Sequence, residues 1–218
     1  MITVASAVEG IVRNSPILEE GLSSGLLNLS AVARSIRPQV EAAAMKPVGE
    51  SAVIMALSRL APKLIHRGTD PRRLSRQIRD VTVRSDISEF TYQNSASILE
   101  CQKRLLSDVQ GRGEAFVTFT RGVHELTVLA SASLEPLVEK AFAREKRLSR
   151  LHDLAAVGIH LDPKAVGTPG VFYGVLKQFM WGNMNVVEIV STYTEFTIIL
   201  KKRDVDRAFT ILKNYFWP

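Results

Sequence analysis

The sequence predicts an α+β fold: tandem ferredoxin-like (βαββαβ) units preceded by a small all-α, helix-turn-helix-like domain. Three observations lead there. The order β-α-β-β-α can be read over Leu151–Phe216. The same order recurs, more weakly, over Asp80–Ala143. The residues before Lys63 read as short amphipathic helices joined by tight turns. The divisions that follow are residues 1–66 for the helical module, 67–79 for a basic linker, 80–146 for the first unit and 147–218 for the second.

The second unit is the clearest. Leu154–Leu161 is an apolar run between Asp153 and Asp162, which suits a buried strand. Gly167, Thr168, Pro169 and Gly170 form a turn signal. Val171, Val175, Leu176, Phe179 and Met180 recur at helical spacing, so a helix is expected over Pro169–Trp181 with Thr168 as its N-cap. Asn185–Ser191 and Phe196–Leu200 read as a hairpin around Tyr193-Thr194-Glu195. Asp204 is expected to cap a last helix whose inward face is Val205, Ala208, Phe209, Leu212 and Phe216. No strand pattern follows that helix, yet a ferredoxin-like unit needs a fourth strand. The expectation is a strand crossing between units, from Asp80–Arg84 or Leu148–His152.

On these residues the segment resembles the ACT regulatory domains that follow the catalytic domain of aspartokinases. The matching text is Leu154–Asp162, then Gly167–Val171, then Asn185–Thr192, then Phe196–Leu200. The resemblance implies an amino-acid ligand held between the turn of one unit and the second strand of another. It points to Gly167, Thr168, Pro169, Gly170, Val171 and Phe172 in the turn, and to Asn185, Val186 and Val187 on the strand. Glycine lets backbone approach a ligand closely, and amides at a helix N-terminus favour a carboxylate. Lysine or threonine would fit the likeness as ligand. The resemblance also implies pairing of ACT units into a homodimer.

The first unit reads as strand Val81–Tyr92, a helix with Ile98, Leu99, Leu105, Leu106 and Val109 inward, a hairpin of Ala115–Thr120 and Glu125–Ala130, and a helix capped by Ser133. It resembles the first of the paired ACT units, although no turn in it matches Thr168–Val171. Arg144–Arg150 is charged and reads as a connector. In the helical module, helices are expected over Ile2–Arg13, Ile17–Ser23, a stretch from Asn28 or Ser30 with Pro38 as a kink or break, and Ser51–Leu60.

Composition bounds function. Of 218 residues one is cysteine, Cys101, which excludes an intrachain disulfide and a cysteine-built metal site and suits a reducing, cytoplasmic setting. No stretch is long and apolar enough to span a bilayer, and no secretory signal is evident. The net charge of +6 is concentrated: Arg67–Arg84 holds six arginines against Asp70 and Asp80. Arg67, Arg72, Arg73, Arg76 and Arg79 are the residues for a nucleic-acid contact, four of them near helical spacing. The helix over Glu50–Leu60 offers only Ser51, Ser58 and Arg59 besides Glu50, a poor set for reading base edges.

Enzymatic signals are missing. His66, His124, His152 and His160 show no metal-ligand spacing and no triad arrangement. Gly111-Arg112-Gly113 lacks the last glycine of a dinucleotide fingerprint, and no P-loop occurs. Glu188 and Glu195 fall on neighbouring strands and are expected to face solvent or a dimer partner. The reading is a non-catalytic, cytoplasmic amino-acid sensor without cofactor or metal. Two alternatives stay open: a DNA-binding transcriptional regulator with an ACT sensor, and a stand-alone regulatory subunit of an aspartokinase-like enzyme.

Overall fold

The computed structural model describes residues 2–64, 75–113 and 115–217. It divides into two units, Met1–Asp70 and Pro71–Pro218. Arg67, Arg72 and Arg73 lie outside the described residues.

The first unit contains α1 (Val4–Arg13), α2 (Pro16–Ser23), α3 (Leu29–Ala44) and α4 (Glu50–Leu60). Each start has a local cause. The side chains of Thr3, Ser15 and Asn28 accept the amides of Ser6, Leu18 and Ala31, and Pro16 occupies the first turn of α2. Pro38 sits inside α3, which runs through it unbroken. Met45 ends α3 in the left-handed region with φ 52°. Val8, Val12, Ala33, Val40, Val53 and Leu57 form the centre of a continuous apolar core.

The second unit is a six-stranded antiparallel sheet of order β2-β3-β1-β4-β6-β5. Its strands are β1 (Ile78–Gln93), β2 (Val117–Arg121), β3 (Glu125–Ser131), β4 (Arg147–Leu161), β5 (Glu188–Ser191) and β6 (Glu195–Lys201). Between them lie α5 (Ile98–Val109), α6 (Glu135–Ala141), α7 (Val171–Trp181) and α8 (Val205–Phe216). β1 and β4 are long because each serves two ferredoxin-like halves. Ile87–Gln93 pairs with β3 and with the start of β4, completing the first half. Ile78–Arg84 pairs with Ala156–Leu161, which pairs in turn with β6. The fourth strand of the second half is therefore Ile78–Arg84. Of the two expected donors, Asp80–Arg84 fills this role, while Leu148–His152 falls in the part of β4 that closes the first half.

Alternation of side chains gives the sheet two unlike faces. Phe90, Tyr92, Leu126, Val128 and Ala130 lie under α5 and α6. Val157, Ile159, Phe196, Ile198 and Leu200 lie under α7 and α8. The opposite face carries its own apolar strip of Ile87, Leu129, Leu154, Ala156 and Ile199, packed by Phe116, Leu151, Val187 and Val190. The sheet curls around this strip. The Thr120 hydroxyl of β2 meets the Glu188 carboxylate of β5, although these are opposite edge strands.

Several expectations need correction. Arg147–Arg150 is strand, its charges met by carboxylates of α6: Arg150 reaches Glu135 at 2.8 Å and Glu139 at 2.5 Å. α7 begins at Val171, two residues later than expected, behind a left-handed Gly170 with φ 87°, and Thr168 does not cap it. β5 begins at Glu188, so Asn185–Val187 precedes the strand. Arg79 lies on β1, not on a basic helix. Leu99, Leu106 and Phe209 are exposed on their helices rather than inward. Glu188 is turned to the concave face, half-buried, rather than to solvent or a partner.

Candidate ligand site

The turn before α7 is organised by Asp162. Its Oδ1 accepts the Lys164 amide at 2.9 Å, and its Oδ2 accepts from Arg79 at 3.0 Å. The Lys164 amide and then Arg79 hold the Asp162 carboxyl below its usual range. The chain then makes a 3₁₀ turn over Pro163–Ala165. Thr168 Oγ1 donates to the Lys164 carbonyl at 3.3 Å and accepts from Gln77 Nε2 at 3.1 Å. Its hydroxyl thus ties the turn to the residue before β1. Val171 is buried, and Phe172 stacks on Phe196 with ring centroids 4.6 Å apart. No side chain caps the first turn of α7. Its leading amides keep the positive end of the helix dipole, which suits a carboxylate.

Asn185, Val186 and Val187 form the lead into β5. Asn185 is exposed, Val186 packs toward the core beneath α7 and α8, and Val187 packs on the concave face. The Val187 amide donates to the Ile199 carbonyl at 2.8 Å, so it is already engaged by the sheet. Ile199 pairs with Ala156. The turn leaves β4 only after Leu161, five residues further along. Phe172 of the turn, through its stack on Phe196, stands at the level of Ile159, three residues along β4 from Ala156.

The concave face holds two carboxyls not singled out by sequence reasoning as a pair. Glu89 is 8 % exposed, and its Oε2 has no hydrogen-bond partner. Burial pushes the Glu89 carboxyl up, against the opposing pull of Thr91 and Lys201. Burial also raises Glu188, and the neighbouring charge of Glu89 adds to it. On the helix side, burial drives the Tyr92 hydroxyl up to about 12. Among the described residues no group of three or more His, Cys, Asp or Glu side chains could hold a metal ion. None of the described helices is long and apolar enough to cross a membrane. Cys101 is a buried free thiol, 3.4 Å from Glu145.

The curled sheet, two halves exchanging strands and helices on one face define the class: a tandem ferredoxin-like fold of the ACT type. Solved structures with a similar fold include the regulatory regions of aspartate kinases. Clostridium acetobutylicum aspartate kinase aligns with TM-score 0.53 and 14% identity, over 70% of this chain and 36% of that one. The regulatory subunit of Thermus thermophilus aspartate kinase aligns with TM-score 0.52 and 14% identity, over 64% of this chain and 99% of that subunit. The regulatory subunit from Thermus flavus gives TM-score 0.51 and 13% identity over 64% and 99%. The chain thus spans about a third of the full-length kinase and nearly all of each regulatory subunit. No family model and no curated protein matches the sequence.

Proposed function

We propose that this chain is a non-catalytic, amino-acid-sensing regulatory protein of the aspartokinase ACT type. The observation that carries the reading is the sheet itself. Two ferredoxin-like halves complete each other through β1 and β4, as a fold matched along nearly the whole of two aspartate kinase regulatory subunits. The ligand would sit between Gly167–Phe172 of one chain and Asn185–Val187 of a second. The carboxylate would face the uncapped first turn of α7. Lysine and threonine are the first ligands to try. A ligand bridging two copies favours one arrangement of them over others, which is how binding would become a signal. The lone buried thiol suits a reducing compartment such as the cytoplasm.

The whole-length match to separate regulatory subunits supports a second reading, action in trans on an aspartokinase-like enzyme. The DNA-binding reading has less support. Arg79 is engaged by Asp162, and the exposed face of α4 offers Arg59 as its one cation beside Ser51, Ala52, Met55 and Ser58.

Thermal unfolding of the full chain with each of the twenty amino acids tests the proposal. A ligand at about 100 times its Kd adds about 2.7 kcal/mol, a rise of roughly 5–10 °C for a domain of this size. The expected result is such a rise with one or a few amino acids. No rise with any of them up to about 100 times a millimolar Kd would contradict sensing.

A further inference from the structure

The two halves of the sheet are related by an internal pseudo-symmetry, and the concave face shows where they differ. In the first half, the row Leu151–Glu89–Leu129 crosses β4, β1 and β3, and the next row is Ser149–Thr91–Thr127. The matching rows of the second half are Arg84–Ala156–Ile199 and Thr82–Gly158–Thr197, across β1, β4 and β6. The central strand is therefore reduced at two positions. Ala156 stands in the place of Glu89, and Gly158 in the place of Thr91. In the first half the space is filled, with the Thr91 and Thr127 hydroxyls 3.3 Å apart. In the second half a pocket of about 210 Å³ opens over Ala156 and Gly158.

The walls of this pocket carry opposite charges. Arg84 stands on one side, its guanidinium 5.6 Å from the centre of the Phe116 ring, which also lines the pocket. Glu195 stands on the other side, beside its cross-strand partner His160. Thr82 and Thr197 put hydroxyls between them. Gly158 is held to its size: a Cβ there would lie 2.8 Å from Thr82 Oγ1. Pockets for drug-sized ligands run to about 300–1,000 Å³, so this one suits a smaller molecule. A guanidinium takes a carboxylate by paired N–H donors, and a carboxylate takes an ammonium.

We infer that the concave face of the second half holds a ligand site for a free α-amino acid. Arg84 and Thr82 receive the α-carboxylate, and Glu195 with Thr197 receives the α-ammonium. The site rests on the amino-acid-sensing reading only for the class of its ligand. It differs in place, because one chain builds it alone and none of the residues Gly167–Phe172 or Asn185–Val187 lines it.

Calorimetric titration of the full chain with each of the twenty amino acids is the test, repeated on Arg84→Gln, Glu195→Gln and the control Lys213→Ala, an exposed residue of α8 outside both sites. Circular dichroism establishes that each variant is folded. The ligand found is also tested as its C-terminal amide and its N-acetyl form. The expected result is at least tenfold weaker binding for Arg84→Gln and Glu195→Gln, and unchanged binding for Lys213→Ala. Arg84→Gln should bind the amide and the free acid alike, because the group that distinguishes them is gone. Glu195→Gln should likewise lose its preference for the free amine over the N-acetyl form. Wild-type affinity in both charge variants would overturn the pocket and leave the sensor reading standing. No binding by wild type to any amino acid would overturn both.

Discussion

Glu89 carries the least compensated charge on the concave face. It is nine-tenths buried, with Oε2 unpartnered, and its carboxyl is raised from 4.5 chiefly by burial. Glu188 is raised in the same way. In both cases the folded state holds a proton that the unfolded chain releases at lower pH. Stability therefore falls as pH climbs from about 4.5 through the raised values, and the penalty is complete above them. Glu89→Gln removes one ionisation, so it should raise stability at pH 7 and flatten the decline between pH 4.5 and 7. Urea unfolding of both proteins across that range would show it. A variant less stable than wild type at pH 7 would mean that the ionised carboxylate has a compensating partner. Alternation along Val81–Tyr92 marks this stretch as strand but says nothing of Glu89 being buried. That burial, like the inward turn of Glu188, comes from the curl that brings β2 against β5. Residues far apart in the sequence produce it, so no local pattern records it.

Two elements, β1 and β4, bend at equivalent points. Asp86 and Asp153 both adopt the left-handed region, with φ 58° and 53°, where each strand passes from one half to the other. β1 shifts register between Arg84 and Ile87. Aspartate tolerates this conformation better than most side chains, and a β-branched residue does not. Asp153→Val should cost about 1–2 kcal/mol, whereas Asp153→Gly should stay within a few tenths of wild type. Denaturant midpoints of the two variants separate backbone strain from loss of the carboxylate, since both lose the charge. Equal losses would point to the charge. The apolar run after Asp153 made the second part of β4 legible in the sequence. The first part was not, because Arg147 and Arg150 look like a solvated connector. Their charges are neutralised on α6 by Glu135 and Glu139, and Arg150 lies 5.2 Å from the Phe90 ring. The start of α7 was misplaced for a related reason. Thr168 has the chemistry of a cap, but its hydroxyl serves Gln77 and Lys164, and Gly170 makes the turn into the helix.

Over the whole of Pro71–Pro218, neither half is complete without a strand that the other half also uses. The order of elements in each half was legible because apolar periodicity and turn residues are local. The need for a crossing strand was legible too, because the pattern came one strand short. The pocket over Gly158 was not, since it exists only by comparison of two rows brought together by pairing. Shared strands have a dynamic consequence: β1 cannot leave the second half without loosening the first. Amide hydrogen exchange on the full chain tests this most directly. The account predicts that Ile78–Arg84 is protected to the same degree as Ala156–Leu161 and Phe196–Leu200, and that rising denaturant opens these segments together with Ile87–Gln93. Rapid exchange over Ile78–Arg84, with Ala156–Leu161 and Phe196–Leu200 still protected, would contradict it.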